Sequence, residues 1–158
     1  MNVSDLFDLL KGQIILVIDD EPDSLEVVVT LLGLCDAKVI TGTNGREGLE
    51  LARKHHPQFI ISDLSMPEMN GWELVKALKQ DRVTADIPVI ALTAHAMAGD
   101  RTRAIAAGFH NYLSKPLRPE TFIKDLINIV MDIPAFAGAG GGVKPTPPTT
   151  NPIISQSV

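Results

Sequence analysis

The chain has 158 residues, a formal charge of -5 and 45% apolar residues, few of them aromatic. That allows one ordinary domain with an aliphatic core, and the acidic balance excludes non-specific attraction to nucleic acid or to anionic membranes. A single cysteine, Cys35, excludes an internal disulfide and fits a reducing compartment, and no apolar run approaches the roughly 20 residues that span a bilayer.

Residues 1–12 have neither a basic start nor a long apolar stretch, so they do not read as a signal peptide, and a cytoplasmic location is expected. Leu6, Phe7, Leu9 and Leu10 suffice there for a short amphipathic turn packed on the domain, or for a frayed arm. Short apolar runs follow at 13–18, 37–41, 58–62, 87–92 and 111–114. Their length and β-branched content favour strands, and their unbroken apolar character is that of parallel strands covered on both faces. Between them, Leu25, Val28, Val29 and Leu32 mark one helical face, and Leu49 and Ala52 a second. Leu74, Val75 and Leu78 mark a third, Ile105 lies on a fourth, and Phe122, Leu126, Ile129 and Val130 mark a fifth. Pro57 and Pro88 precede or open strands, Pro119 suits a first helical turn, and Gly108 suits a helix C-terminus. Repeated βα units predict a three-layer α/β/α sandwich. From Pro134 onward the chain is dominated by Gly, Ala, Pro and Thr, which cannot bury enough apolar surface to offset ordering entropy. The expected division is an N-terminal arm at 1–12, a folded domain at 13–132 and a disordered tail at 133–158.

Polar groups stand where these runs end: Asp19, Asp20 and Glu21 after the first, Asp63 after the third, Thr93 after the fourth and Lys115 after the fifth. Taken singly, each has an ordinary reading as a helix cap, a turn residue or a solvated loop. Together they sit where an open parallel sheet places its ligand site. The first and third strands are expected to be neighbours, which brings Asp19, Asp20 and Asp63 close. Such carboxylates raise one another's pKa unless a cation compensates, and hard oxygen ligands suit Mg2+. Lys115 and Thr93 add an ammonium and a hydroxyl able to hold phosphoryl oxygens.

The set resembles the receiver domain of two-component response regulators. The matching residues are Asp19-Asp20-Glu21-Pro22, the stretch DLSMPEMNGWEL from Asp63, Thr93-Ala94 and Lys115-Pro116. The resemblance covers roughly residues 13–132. It implies a flavodoxin-like, doubly wound sheet of five parallel strands in the order 2-1-3-4-5, with five helices. It further implies that Asp63 is the phosphoacceptor, and that Mg2+ is held directly by Asp20, Asp63 and the Ser65 backbone carbonyl, with Asp19 acting mainly through bound water. By the same resemblance Lys115 and Thr93 bind the phosphoryl group, Thr93 and Tyr112 form the switch, and Lys115–Pro116 is a cis peptide. The implied donor is a histidine kinase or a histidine phosphotransfer protein, and the implied output is a protein partner bound through about residues 98–131. Ser65 and His95 occupy positions that tune hydrolysis in the family.

No helix-turn-helix pattern or basic face is visible, so direct DNA binding is not expected. Met1 and the tail favour a stand-alone receiver over one cut from a hybrid kinase. The competing enzyme reading is a Mg2+-dependent phosphohydrolase with an aspartyl nucleophile. That chemistry needs a second acid two residues after Asp63, where Ser65 stands. A flavin carrier would need a phosphate-cradling loop where the acidic residues 19–21 lie. The expected protein is therefore not a metabolic enzyme and catalyses only its own phosphoryl transfer and slow dephosphorylation. His55, His56 and His110 are read as helix-end and loop residues, and Trp72 as packing near the surface at a helix start.

Overall fold

Strand-forming runs and amphipathic helices alternate through the residues described by a computed structural model, 3–94, 100–134 and 136. In chain order they form α1 (Val3–Leu10), β1 (Ile14–Ile18), α2 (Pro22–Leu34), β2 (Lys38–Gly42), α3 (Gly45–His55) and β3 (Phe59–Asp63). The second half forms α4 (Gly71–Gln80), β4 (Val89–Thr93), α5 (Asp100–Ala107), β5 (Asn111–Ser114) and α6 (Pro119–Met131). All strand pairs are parallel, and the sheet order is β2-β1-β3-β4-β5, as expected.

Because strand side chains alternate between faces, the sheet divides the core into two layers. Ile15, Val17, Phe59, Ile61, Ile90 and Leu92 pack with α2 and α6 on one face. Leu16, Ile18, Ile60, Val89 and Ala91 pack with α3, α4 and α5 on the other. This is the three-layer sandwich.

Several details differ from the sequence reading. Six helices are present among the described residues, one more than the five expected, because the N-terminal residues form α1. Leu9 and Leu10 of α1 are buried in the α2–α6 layer, and α1 contacts α6. At the other end Ile133 and Phe136 are buried in the same layer, with the Phe136 ring edge-on to Phe59 at 6.1 Å. Apart from residues 133, 134 and 136, the segment read as a disordered tail lies outside the described residues, as does His95. Ile105 does not face the core. It is exposed, and α5 buries Ala104 instead, with Phe109 just beyond the helix filling the layer.

Strand ends also move. Asp63 and Thr93 are the last residues of β3 and β4, in register with Leu92 and Ser114, one residue beyond the apolar runs at 58–62 and 87–92. The ladder reaches them because Leu64 N donates to Leu92 O at 3.2 Å and Lys115 N to Thr93 O at 2.7 Å.

The loop after β3 is ended by a reciprocal cap. Asn70 Oδ1 accepts from Glu73 N at 2.9 Å, and Glu73 Oε1 accepts from Asn70 N at 3.0 Å. This pairing satisfies two amide donors at the start of α4. Asn70→Ala is expected to lower stability by about 1 kcal/mol, read as a lower urea midpoint at unchanged slope.

Candidate functional site

Parallel strands deliver all their C-terminal tips to one edge of the sheet, and the polar groups gather there. β1 and β3 are adjacent, so the loop after β1 brings Asp19 and Asp20 beside Asp63 at the end of β3. One carboxylate oxygen from each of Asp19, Asp20 and Asp63 lies within 4.8 Å of the others. Asp19 and Asp63 are buried, whereas Asp20 is exposed. Backbone amides fix the two buried acids: Glu21 N donates to Asp19 Oδ1 at 2.9 Å, and Leu64 N to Asp63 Oδ1 at 2.8 Å.

Lys115 follows β5, and its peptide bond to Pro116 is cis. Its Nζ lies 3.1 Å from Asp19 Oδ2, 3.3 Å from Glu21 Oε1 and 3.6 Å from Asp63 Oδ2. Thr93, buried at the end of β4, shares with Asp20, Asp63, Ser65 and Lys115 the lining of an open cleft of about 750 Å3. Six of the sequence-selected residues (Asp19, Asp20, Asp63, Ser65, Thr93 and Lys115) therefore meet at one edge. Tyr112 stands apart. It is half-buried in β5 opposite Ala91, and it lines a separate groove of about 290 Å3 between β5 and α6.

The electrostatics follow from the crowding of acids. Burial, and then the charge of Asp19, push the Asp63 carboxyl up to about 6, although Lys115 and the Ser65 amide pull the other way. Burial alone would lower the Lys115 ammonium, but Asp19, Asp63 and Glu21 outweigh it and hold the group above its ordinary value. One ammonium thus faces a surplus of carboxylates. Asp19 Oδ2, though close to Nζ, accepts no aligned hydrogen bond in its buried position. A buried acceptor left in this way beside two further carboxylates fits a divalent cation bound through oxygen.

Other contacts escaped the sequence reading. The sequence places Glu21 only in an acidic loop, whereas its carboxylate bonds Ser24 and Lys115. Only its place beside two acids hinted at this. Trp72 is half-buried at the start of α4, edge-on to Phe109 at 5.5 Å, with the Arg103 guanidinium 4.7 Å above its ring. His55 ends α3, and His56 is its left-handed cap, 3.4 Å from Asp86.

A doubly wound α/β domain with an acidic, cation-fitting edge is the class that fold and site define. Residues 15–127 match the family model of the response regulator receiver domain. The polar-differentiation response regulator DivK of Brucella ovis is 36% identical over 118 residues, covering 75% of this chain and 96% of its own. An uncharacterized 14.6 kDa protein in the sodA1 3′ region of Leptolyngbya boryana is 38% identical over 110 residues, covering 70% and 84%. Among solved structures, chemotaxis response regulator CheY4 of Vibrio cholerae aligns with a TM-score of 0.70 at 32% identity, covering 75% of this chain and 99% of that one. The receiver domain of sensor histidine kinase PA1611 from Pseudomonas aeruginosa PAO1, with a magnesium ion coordinated in its active-site cleft, aligns at 0.66 and 27%, covering 74% and 96%. The chain belongs to the response regulator receiver domain family of two-component signalling. Among the described residues no helix is long and apolar enough to cross a membrane.

Proposed function

We propose that this receiver is a phosphorylation-controlled cytoplasmic switch. Asp63 accepts a phosphoryl group from a phosphohistidine on a histidine kinase or histidine phosphotransfer protein, and the modified domain then binds a protein partner. The observation that carries this reading is the meeting of Asp19, Asp20 and Asp63 within 4.8 Å, with Lys115 Nζ 3.6 Å from Asp63 Oδ2.

An Asp63 carboxylate oxygen attacks phosphorus; the new O–P bond forms as the P–N bond breaks and the imidazole leaves. Leu64 N holds Asp63 Oδ1, which leaves Oδ2 facing the cleft side near Lys115. Lys115 stabilises negative charge on a phosphoryl oxygen, and the Thr93 hydroxyl donates to another. The residues that would hold Mg2+ are Asp19, Asp20, Asp63 and the Ser65 carbonyl, and the ion would offset the charge of the transferring group. Support comes from the surplus of carboxylates here and from the magnesium in the related PA1611 receiver. The output element is the surface of about residues 98–131, biased by Thr93 and Tyr112.

The test is incubation of the full chain with acetyl phosphate and Mg2+. Wild type is expected to gain one acid-stable, base-labile phosphoryl group by intact-mass measurement, and Asp63→Asn none. The same adduct on both proteins, or none on wild type, would overturn the reading.

A further inference from the structure

Glu21 occupies the N-cap position of α2, yet its side chain makes no cap hydrogen bond. The short side chains of Asp, Asn, Ser and Thr ordinarily accept from the first-turn amides at this position, and the longer Glu side chain can reach further. Here the carboxylate turns elsewhere. Its Oε1 accepts from Ser24 Oγ at 2.5 Å and from Lys115 Nζ at 3.3 Å. The residue is also fixed at its backbone, where Glu21 N donates to Asp19 Oδ1 at 2.9 Å. A cation 94 residues away is thereby tied to the loop after β1.

Exposure gives the contact a direction. The Lys115 side chain is 14% exposed and those of Asp19 and Asp63 are 0% and 9%, whereas that of Glu21 is 57% exposed. The ammonium therefore has two carboxylates on its inner side and Glu21 on its solvent side. Lysine has three N–H donors, and each of these carboxylates lies within ion-pair distance. A phosphoryl group arriving from solvent must share Lys115, and the solvent-side partner is the one it can displace.

We propose that Glu21 is a positioning residue for Lys115: it holds the ammonium toward the cleft mouth and competes with the incoming phosphoryl group for it. This rests on the reading of Asp63 as phosphoacceptor. Glu21 also places a negative charge beside the entry path of an anionic donor. It thereby slows phosphoryl acceptance from a small donor, and its hold on Lys115 is released as phosphoryl oxygens take over the N–H bonds.

The experiment uses the full chain with Mg2+ and acetyl phosphate, whose acetate leaves as the bond to Asp63 forms. Acceptance rates are measured against donor concentration for wild type, Glu21→Gln and Glu21→Asp. At low ionic strength Glu21→Gln is expected to accept about three- to fivefold faster, the upper part of the range of one exposed ion pair. The gain should lie in the donor concentration dependence, not in the limiting rate. It should vanish near about 1 M salt, where the Debye length is about 3 Å. Glu21→Asp keeps the charge on a shorter arm and should stay close to wild type at low salt. Without donor, the Lys115 side-chain NMR resonances should shift in Glu21→Gln and return toward wild type in Glu21→Asp. Equal rates at low salt, or a gain that persists unchanged at high salt, would overturn the proposal. A wild type that takes no phosphoryl group refutes the reading of Asp63. The donor-free resonances then decide by themselves whether Glu21 holds Lys115, and unshifted resonances refute that hold.

Discussion

Replacing Asp63 by asparagine is expected to stabilise the metal-free protein at pH 7 by about 1–2 kcal/mol. The carboxyl is raised from 3.8 to about 6, first by burial and then by the Asp19 charge. A carboxyl raised in this way binds its proton more tightly in the folded than in the unfolded chain. Its ionisation therefore disfavours folding: stability falls as pH rises from about 4 through about 6 and levels off above. At about 1.4 kcal/mol per pKa unit the full shift corresponds to about 3 kcal/mol, and solvent screening at the open cleft reduces it. The asparagine amide carries no charge to desolvate beside Asp19. In a chelator, thermal melts should show the variant about 3–6 °C above wild type at pH 7. The gap should narrow toward pH 4 and close below it, where the pH falls under the ordinary carboxyl value of 3.8 and Asp63 is protonated in both folded and unfolded wild type. Millimolar Mg2+ should narrow the gap at pH 7 by stabilising wild type more than the variant. A gap that is constant between pH 4 and pH 7 would show that the Asp63 charge is not the source.

The same crowding explains how much of the site was legible in the sequence. Unbroken apolar runs announce parallel strands, and parallel strands fix which ends share an edge, so Asp19, Asp20, Asp63, Thr93 and Lys115 could be grouped without coordinates. What could not be read was anything set by contact across that edge. The pairing of Glu21 with Lys115 depends on how two loops approach each other, and no local pattern records it. Ile105 misled because one large apolar residue in a short helix whose other apolar residues are all alanines does not define a face, and small Ala104 packs closer. Composition likewise hid Phe136. The Gly- and Ala-rich stretch around it reads as unable to form a core, yet a core already built by Phe59 can accept one more ring.

Gly71→Ala is expected to cost about 3 kcal/mol and to impair the site as well. A Cβ at Gly71 would fall 2.3 Å from Asp63 O and 2.9 Å from Leu64 Cα. Both are backbone atoms, so no side chain can swing aside. The approach is close because the loop after β3 closes on itself: Gly71 N donates to Leu64 O at 3.1 Å, while Asn70 and Glu73 cap the helix that starts there. Relief requires either α4 to retreat from the sheet or the end of β3 to shift. The first opens the layer containing Leu74, Val75 and Leu78, and the second displaces Asp63 from Lys115. Gly33→Ala is the matched control, because a Cβ there meets nothing within 4 Å and the residue lies inside α2. That change should raise stability by about 0.5 kcal/mol through helix propensity and unfolded-state entropy. Urea melts of the two variants should move in opposite directions, and the Gly71 variant alone should lose Mg2+-dependent stabilisation. If Gly71→Ala melts with wild type and keeps its response to Mg2+, the close packing of α4 on the end of β3 is not what holds Asp63 in place.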